Sequence, residues 1–373
     1  MVKLCLQKRK DGRLQTSVTV ENPITGEKKK VYVYGYDLSE LEAEKYRIQN
    51  ASIEEFLNVS TFHSWCDEFL RIKREDEKLE ESTLYSYKLQ INKHLLSKIP
   101  PSTPIAKITP AWCRQLLRGI PGERARLGVY VLLKSIFEEA IVNQLLADNP
   151  MRFIKKPKYS TPARSIVTPE IYQMVMDDVS GTQYEYVYKF AWDTGMRRGE
   201  ICAVRLSHID LDNLYVHVQK GRKRGENGEY EGAPKSDNGV RDLKISEAAA
   251  ANIATWIKIL RRILFKAGLP WEDDGYLFRS ERDLSKPLPL SSITHKFSDQ
   301  KEQLHLPANV SFHSFRHTHA TIMAEQNLSP KQIQLRMGHY SAAFSYDTYV
   351  HATNKLQEGI VSAFDKAAKD YGR

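Results

Sequence analysis

The chain has 373 residues, 41% of them hydrophobic, and carries 55 Lys and Arg against 46 Asp and Glu for a net charge of +9. That length is more than one core comfortably serves and predicts two or three globular domains. Charged residues interrupt every apolar stretch well before the ~18 positions that a membrane-spanning helix needs, and the start, "MVKLCLQKRKDGR", lacks the apolar core of a signal peptide and reads as mature protein.

"VKLCLQ", "LQTSVTV" and "KVYVYGY" alternate as short strands, with turn signals in "KDGR" and "ENPITGE" between them. A small three-stranded sheet is expected, then a helix opening at "DLSELEAEKY" with Ser39 or Asp37 as its cap, within a domain at 1–59. Helical periodicity follows over 60–153, where Phe62, Trp65, Phe69 and Ile72 share one face, as do Val131, Ile136, Ala140 and Ile141. These predict a bundle of four or five helices whose aromatic stripe is core and not a base-stacking platform. A Pro-, Ser- and Lys-rich linker spans 154–167. The largest domain, 168–373, reads as helices near 169–178, 183–194 and 198–206, strands at "LYVHVQ", "EGAPK" and "VRDLKI", a charged hairpin loop at 220–232, and then mostly helix. The fold class expected is multidomain and mainly α with small β-sheets.

The positive charge is gathered, not spread. Residues 1–36 hold Lys3, Lys8, Arg9, Lys10, Arg13, Lys28, Lys29 and Lys30 against Asp11, Glu21 and Glu27, and residues 151–167 hold Arg152, Lys155, Lys156, Lys158 and Arg164 with no acid. This clustering points to a polyanion partner, with Lys8, Arg9, Lys10, Arg13, Lys28, Lys29, Lys30, Lys155, Lys156 and Lys158 as the candidate DNA contacts. Cys5, Cys66, Cys113 and Cys202 have no C-x-x-C spacing and suit a reducing compartment, with neither a disulfide framework nor a zinc module. No phosphate-binding G-x-x-x-x-G-K-[ST] loop occurs, so no nucleotide energy source is expected.

Several short motifs carry chemistry. In "SFHSFRHTHATIM", read as a helix, His313, Arg316 and His317 share one face, and Phe315, His319 and Ile322 lie on the packing side. A zinc-protease helix would need Glu at 314, where Ser stands, and Arg316 between the ligands would repel the ion, so no metal is assigned. "TGMRRGE" sets Arg197 beside a turn with Glu200 three residues on. "NLSPKQIQLRMGHY" is a short helix with Ser329 as cap, Pro330 in the first turn and Gly338 as stop, so His339 follows a helix end. Tyr349 comes ten residues later.

In this order the set resembles the catalytic series of the tyrosine recombinase (phage-type integrase) family. Arg197 lies in T-G-x-R-x-x-E, Lys235 in "PKSDNGVRDL", His313 and Arg316 in H-x-x-R-H, His339 in "MGH" and Tyr349 in "TYVH". The resemblance is close over about 165–355. The helical domain looks like the family's core-binding domain, and the amino-terminal sheet is similar to the arm-binding domain of integrases from phages and conjugative transposons. Met337 stands where Leu is usual, and Arg198-Gly199 varies the common pattern, but every catalytic group is present.

The resemblance implies metal- and ATP-independent strand cleavage and rejoining, with no cofactor, and the residue types suit it. Two guanidiniums, Arg197 and Arg316, can grip the non-bridging oxygens of a phosphodiester. A tyrosine ester preserves the energy of the bond that it replaces. Tyr349 has an ordinary pKa near ~10 and needs a base or a positive pocket; His313 is the candidate base, His339 a donor to the phosphate, Lys235 the acid for the leaving 5′-oxygen and Glu200 a brace for Arg197. Tyr346, one helical turn earlier, is the rival nucleophile, and His317 and His319 read as structural. The implied partners are double-stranded attachment-site DNA, three further copies of the chain in a tetramer, and an accessory excision or host DNA-bending protein, in the bacterial cytoplasm at the nucleoid. The tail "LQEGIVSAFDKAAKDYGR" has a helix-face pattern that suits docking on a neighbouring subunit or on its own core. A type IB topoisomerase and a non-catalytic DNA-binding regulator remain as other readings.

Overall fold

The computed structural model describes residues 7–8, 14–21, 28–49, 61–160, 165–234 and 237–338. Arg9, Lys10, Arg13, Lys235, His339, Tyr346, Tyr349 and the tail lie outside the described residues; for Lys8, Lys28 and Lys29 only the strand backbone is described. The chain divides into two compact units, 1–160 and 161–373.

The first unit starts with an antiparallel sheet in the order β1 (Gln7–Lys8), β2 (Leu14–Glu21), β3 (Lys28–Gly35). The β2–β3 register pairs Leu14 with Gly35 and Val18 with Val31. Helix α1 (Leu38–Gln49) covers one face and closes a small core of Val18, Val33 and Leu41. Asp37 is its cap: the Glu40 amide donates to Asp37 Oδ1 at 2.8 Å, and the Tyr36 amide donates to Glu40 at 2.8 Å. The β3 alternation leaves Tyr32, Tyr34 and Lys30 exposed on the other face.

Four α-helices follow among the described residues: α2 (Phe62–Glu75), α3 (Glu81–Gln90), α4 (Pro110–Arg118) and α5 (Glu123–Val142). Phe62, Trp65, Phe69 and Ile72 are buried together, as the periodicity predicts, and the Trp65 indole donates to the Ile136 carbonyl at 3.0 Å. The inward face of α5 is Val129, Leu132, Leu133, Ile136, Phe137 and Ala140, while Val131 is 50% exposed. Val131 therefore does not belong to the face expected of it, because only the 129–132–133–136 series keeps one side of a 3.6-residue turn. Met151 and Ile154 close this core, beyond which Lys155, Lys156 and Lys158 are exposed.

The second unit runs α6 (Pro169–Asp178), α7 (Gln183–Thr194), α8 (Arg198–Ile201), β4 (Ile209–Asp210), β5 (Tyr215–Val218), β6 (Gly221–Gly225), β7 (Gly228–Gly232), β8 (Arg241–Lys244), α9 (Glu247–Lys266), α10 (Leu290–Gln303), α11 (His313–Glu325) and α12 (Pro330–Met337). Helix α8 is shorter than expected. Past Ile201 the chain is drawn into extended pairing: the Leu277 amide donates to the Val204 carbonyl at 2.9 Å, and the Leu206 amide to the Gly275 carbonyl at 2.8 Å. The sheet order is β4–β5–β8, and β6 with β7 forms a separate hairpin inserted between β5 and β8. So 220–232 is an ordered hairpin and not a loop, and the strand expected at "EGAPK" begins at Gly228. The Glu229 carboxylate accepts from the Leu290 amide at 3.0 and 3.1 Å, which fastens the hairpin to the start of α10. Tyr188, Phe297, Phe312 and Phe315 pack ring to ring in the middle of the core. No described helix is long and apolar enough to cross a membrane.

Candidate active site

Helix α7 ends at Thr194, and Gly195 stops it with φ +64°. A side chain is excluded there on two counts: that φ disfavours it, and a Cβ would lie 2.7 Å from the His319 ring. The tight turn places Arg197 as the residue preceding α8. Its backbone amide donates to Glu200 Oε2 at 2.9 Å and its Nη1 to Glu200 Oε1 at 2.7 Å. Glu200 thus meets Arg197 at two points.

Helix α11 begins at His313, which is exposed, and one turn later Arg316 is 4% exposed. The α11 faces differ from those its sequence predicts. Ser314, Phe315, Arg316, His317 and Thr318 are all buried, because α7 and α12 pack on it from different sides, whereas Ile322 is 41% exposed. Beyond the exposed His313, the polar face is thus mostly buried, with Arg316 and His317 turned inward.

Helix α12 has the capping expected of it: Ser329 accepts from the Gln332 amide, Pro330 opens the helix and Gly338 ends it at φ +63°. Its last carbonyls are the meeting point of the site. The Arg336 carbonyl accepts from Arg241 Nε at 3.0 Å, the Met337 carbonyl from Arg316 Nη2, and the Gly338 carbonyl from Arg197 Nη2 at 2.7 Å. A helix end leaves its last carbonyls without partners inside the helix and carries partial negative charge, and three guanidiniums answer both. A Cβ on Gly338 would lie 2.9 Å from both Arg241 Nη1 and the Asn238 carbonyl, so glycine is required by space as well as by φ. Arg316 Nη1 also donates to the Gly195 carbonyl at 2.8 Å, which ties the two glycine turns together.

One buried carboxylate balances these charges. Glu200 is 3% exposed and is shared with Arg241, whose Nη2 donates to Oε2 at 2.9 Å and Nη1 to Oε1 at 3.3 Å. Burial alone would raise its pKa, but Arg241, then Arg197 and Arg316, outweigh that and hold it at about 2. Arg241 and Arg336 both lie inside motif stretches, "PKSDNGVRDL" and "NLSPKQIQLRMGHY", yet the sequence gives neither of them a role. The signal for Arg241 is its place in β8 on the same face as Leu243, which is 1% exposed.

Arg336 fixes α12 from the other side, donating to the Lys244 carbonyl at 2.5 Å and the Asp193 carbonyl at 2.9 Å. Its Nε faces His319 Nε2 at 3.4 Å, and His319 Nδ1 lies 2.8 Å from the Trp192 carbonyl. Only a neutral ring protonated on Nδ1 satisfies both contacts. Burial, then the Arg336 charge, lower the His319 pKa to about 4. Its ordinary value is 6.5, so the unfolded chain takes up the proton first as pH falls. The stability that His319 contributes is complete above pH ~6.5 and is lost progressively toward pH ~4. The melting temperature of the wild type should fall over that window, and His319→Asn should flatten the fall; an unchanged slope would show that the ring does not stay neutral.

The arrangement gathers guanidinium charge around one buried carboxylate. Arg197, Arg241 and Arg316 face one ionised carboxylate, and Arg197, 32% exposed at its side chain, opens to solvent with donor capacity remaining on its fork. The structure brings together Arg197, Glu200 and Arg316 and puts His313 at the start of the helix that carries Arg316. Lys235, which follows Pro234, His339, which follows Gly338, and Tyr349, ten residues further on, lie outside the described residues.

Residues 165–355 match the Phage integrase family, and residues 61–119 match the phage integrase N-terminal SAM-like domain. A tyrosine recombinase XerC-like protein of Caldanaerobacter subterraneus is 22% identical, over 94% of this chain and 95% of its own. The ICEBs1 integrase of Bacillus subtilis is 23% identical over 97% and 99%. Among solved structures, the Tn1549 transposon integrase in complex with a circular intermediate DNA aligns with a TM-score of 0.65 at 20% identity, over 80% of this chain and 99% of that one. The lambda integrase tetramer bound to a Holliday junction aligns with a TM-score of 0.60 at 20% identity, over 92% and 94%. These structures share the mainly helical, multidomain fold with small antiparallel sheets.

Proposed function

Because the chain belongs to the phage integrase family, we propose that it is a site-specific DNA recombinase that integrates and excises a mobile element through a 3′-phosphotyrosyl intermediate and a Holliday junction. The observation that supports this best is the hold of Arg316 and Arg197 on the successive carbonyls of Met337 and Gly338, directly before His339. Two guanidiniums fixed on one helix end can take the two non-bridging oxygens of a phosphodiester.

In this reading the Tyr349 oxygen attacks the scissile phosphorus and the bond to the 5′-oxygen breaks. His313 accepts the phenol proton, Lys235 gives a proton to the departing 5′-oxygen, and His339 donates to the phosphate while negative charge builds on it. Attack by the 5′-hydroxyl of a partner strand reverses each transfer and releases the tyrosine. Glu200 and the helix end keep Arg197 and Arg316 aimed throughout. The partners are double-stranded attachment sites, three further copies in a tetramer, and an accessory excision or host DNA-bending protein, in the cytoplasm at the nucleoid. We read 1–59 as an arm-type DNA-binding domain, 60–153 as the core-binding domain, 154–167 as a basic linker and 168–373 as the catalytic domain.

The test is strand exchange between two labelled duplexes taken from the ends of the element and from its target. Recombinant products and a four-way junction intermediate are expected. Relaxation of supercoiled plasmid lacking those sites, without exchange, would favour the topoisomerase reading instead. The amino-terminal sheet adds a separate expectation. In the full chain, changing Lys28, Lys29 and Lys30 to glutamine should flatten the dependence of log affinity on log salt by up to ~3, close to one for each phosphate that is no longer neutralised. An unchanged slope would remove these lysines from the DNA interface.

A further inference from the structure

Arg241 is a buried hub to which the motif around Lys235 assigns no role. It stands in β8 opposite Val218 of β5, so the sheet fixes its backbone, and its side chain is 7% exposed. Its fork spans both oxygens of Glu200, its Nη1 also donates to the Gly239 carbonyl at 2.9 Å, and its Nε holds the Arg336 carbonyl. We infer, on the recombinase reading, that Arg241 is a positioning residue that aims Arg197 at the scissile phosphate by locking the carboxylate of Glu200, without touching DNA itself.

The geometry supports this at each joint. Glu200 Oε1 receives Arg197 Nη1 and Arg241 Nη1, and Oε2 receives the Arg197 amide and Arg241 Nη2. With Arg241 across one edge of the carboxylate, the other edge has a single orientation to offer Arg197. The Arg197 side chain is partly exposed and joins a residue three positions on in a helix of one turn, which by itself constrains little. A lysine at 241 would bring one nitrogen to a place where a planar fork now meets two carboxylate oxygens and two carbonyls. The anchored carbonyls belong to Gly239, where the turn after Lys235 ends, and to Arg336, three residues before His339, so one side chain braces three segments bearing motif residues.

The charged groups around Glu200 are Arg197 before α8, Arg241 on β8 and Arg316 on α11. Without Arg241 the opposing effect of burial gains ground, Glu200 takes up a proton at higher pH, and its grip on Arg197 fails in mild acid. Such an acid limb marks a positioning role, since loss of packing alone would not produce it.

The experiment compares wild type, Arg241→Lys, Arg241→Met, Glu200→Gln and the Arg241→Met/Glu200→Gln double variant in the full chain. Single-turnover cleavage of a nicked suicide duplex is followed from pH ~8 to ~5, alongside duplex affinity and melting temperature. Both Arg241 variants should bind the duplex as wild type does and cleave ~100-fold more slowly, the loss expected of a reacting group displaced by about 1 Å. Their loss relative to wild type should deepen as pH falls, and adding Glu200→Gln to Arg241→Met should remove that deepening with little further loss. If cleavage falls only in step with the folded fraction, with the loss relative to wild type independent of pH, or if the two single losses multiply in the double variant, the inference is overturned. A wild type that forms no adduct on the duplex overturns the recombinase reading and this inference together, an outcome distinct from wild-type cleavage with unimpaired Arg241 variants.

Discussion

Arg316→Lys should lower the rate of strand cleavage by ~1000-fold while affinity for the duplex stays nearly unchanged. The guanidinium is 4% exposed and bridges the Gly195 carbonyl, at the end of α7, to the Met337 carbonyl, at the end of α12. A fork can hold both carbonyls and still present an edge to a phosphate oxygen. An ammonium on a flexible stem has one nitrogen to divide among three acceptors, and it forgoes the bidentate geometry that matches developing charge on phosphorus. Affinity is set by many contacts along the duplex, whereas the transition state depends on this one, so the loss should fall on the cleavage step. Single-turnover cleavage and duplex binding, measured on the same preparation, separate the two; equal losses in both would make Arg316 a general DNA contact.

Glu200→Ala should cost ~3–5 kcal/mol of stability, far more than a surface carboxylate would. Its partner Arg241 is 7% exposed and would keep its charge with no counter-ion, while Arg197 would lose both points of its grip. Glu200→Gln, which keeps the shape and one acceptor, should lose less. Denaturant unfolding of the three proteins gives the ordering, and a melting curve for Glu200→Ala that overlays wild type would contradict the buried network. Glu200 in the fold has a pKa of about 2 against an ordinary 4.5. The stability that its ionised form contributes is therefore full above pH ~4.5 and lost as pH falls toward ~2.

What could be read from the residues, and what could not, follows the range of the forces involved. The α12 signals are local: Ser329, Pro330 and Gly338 each act within a turn of their own position, and all three do what their chemistry predicts. The spans 169–178 and 183–194 were legible for the same reason, since Thr168 and Thr182 cap them within three residues. The end of α8 was not, because it depends on backbone pairing with residues 275–277, some seventy positions away. Arg241 was hidden for a related reason. Its meaning comes from Glu200, 41 positions before it, and from Arg336, 95 positions after it. The motif residues Arg197 and Arg316 could be named without any structure, yet apart from Glu200 their orienting partners are backbone carbonyls, which no residue type marks. Lys235, His339 and Tyr349 rest on their motifs and on the described segments that lead to them.

The proposed chemistry stands or falls on Tyr349 becoming covalently joined to DNA inside this arginine-lined site. Wild type, Tyr349→Phe and Tyr346→Phe would each be mixed, with EDTA present, with nicked suicide duplexes tiled across the DNA flanking the gene, and the products resolved on a denaturing gel. A protein–DNA adduct is expected on one tile with wild type and Tyr346→Phe, absent only in Tyr349→Phe. An adduct that persists in Tyr349→Phe and vanishes in Tyr346→Phe would show that the nucleophile is Tyr346 and that the mechanism is wrong as written.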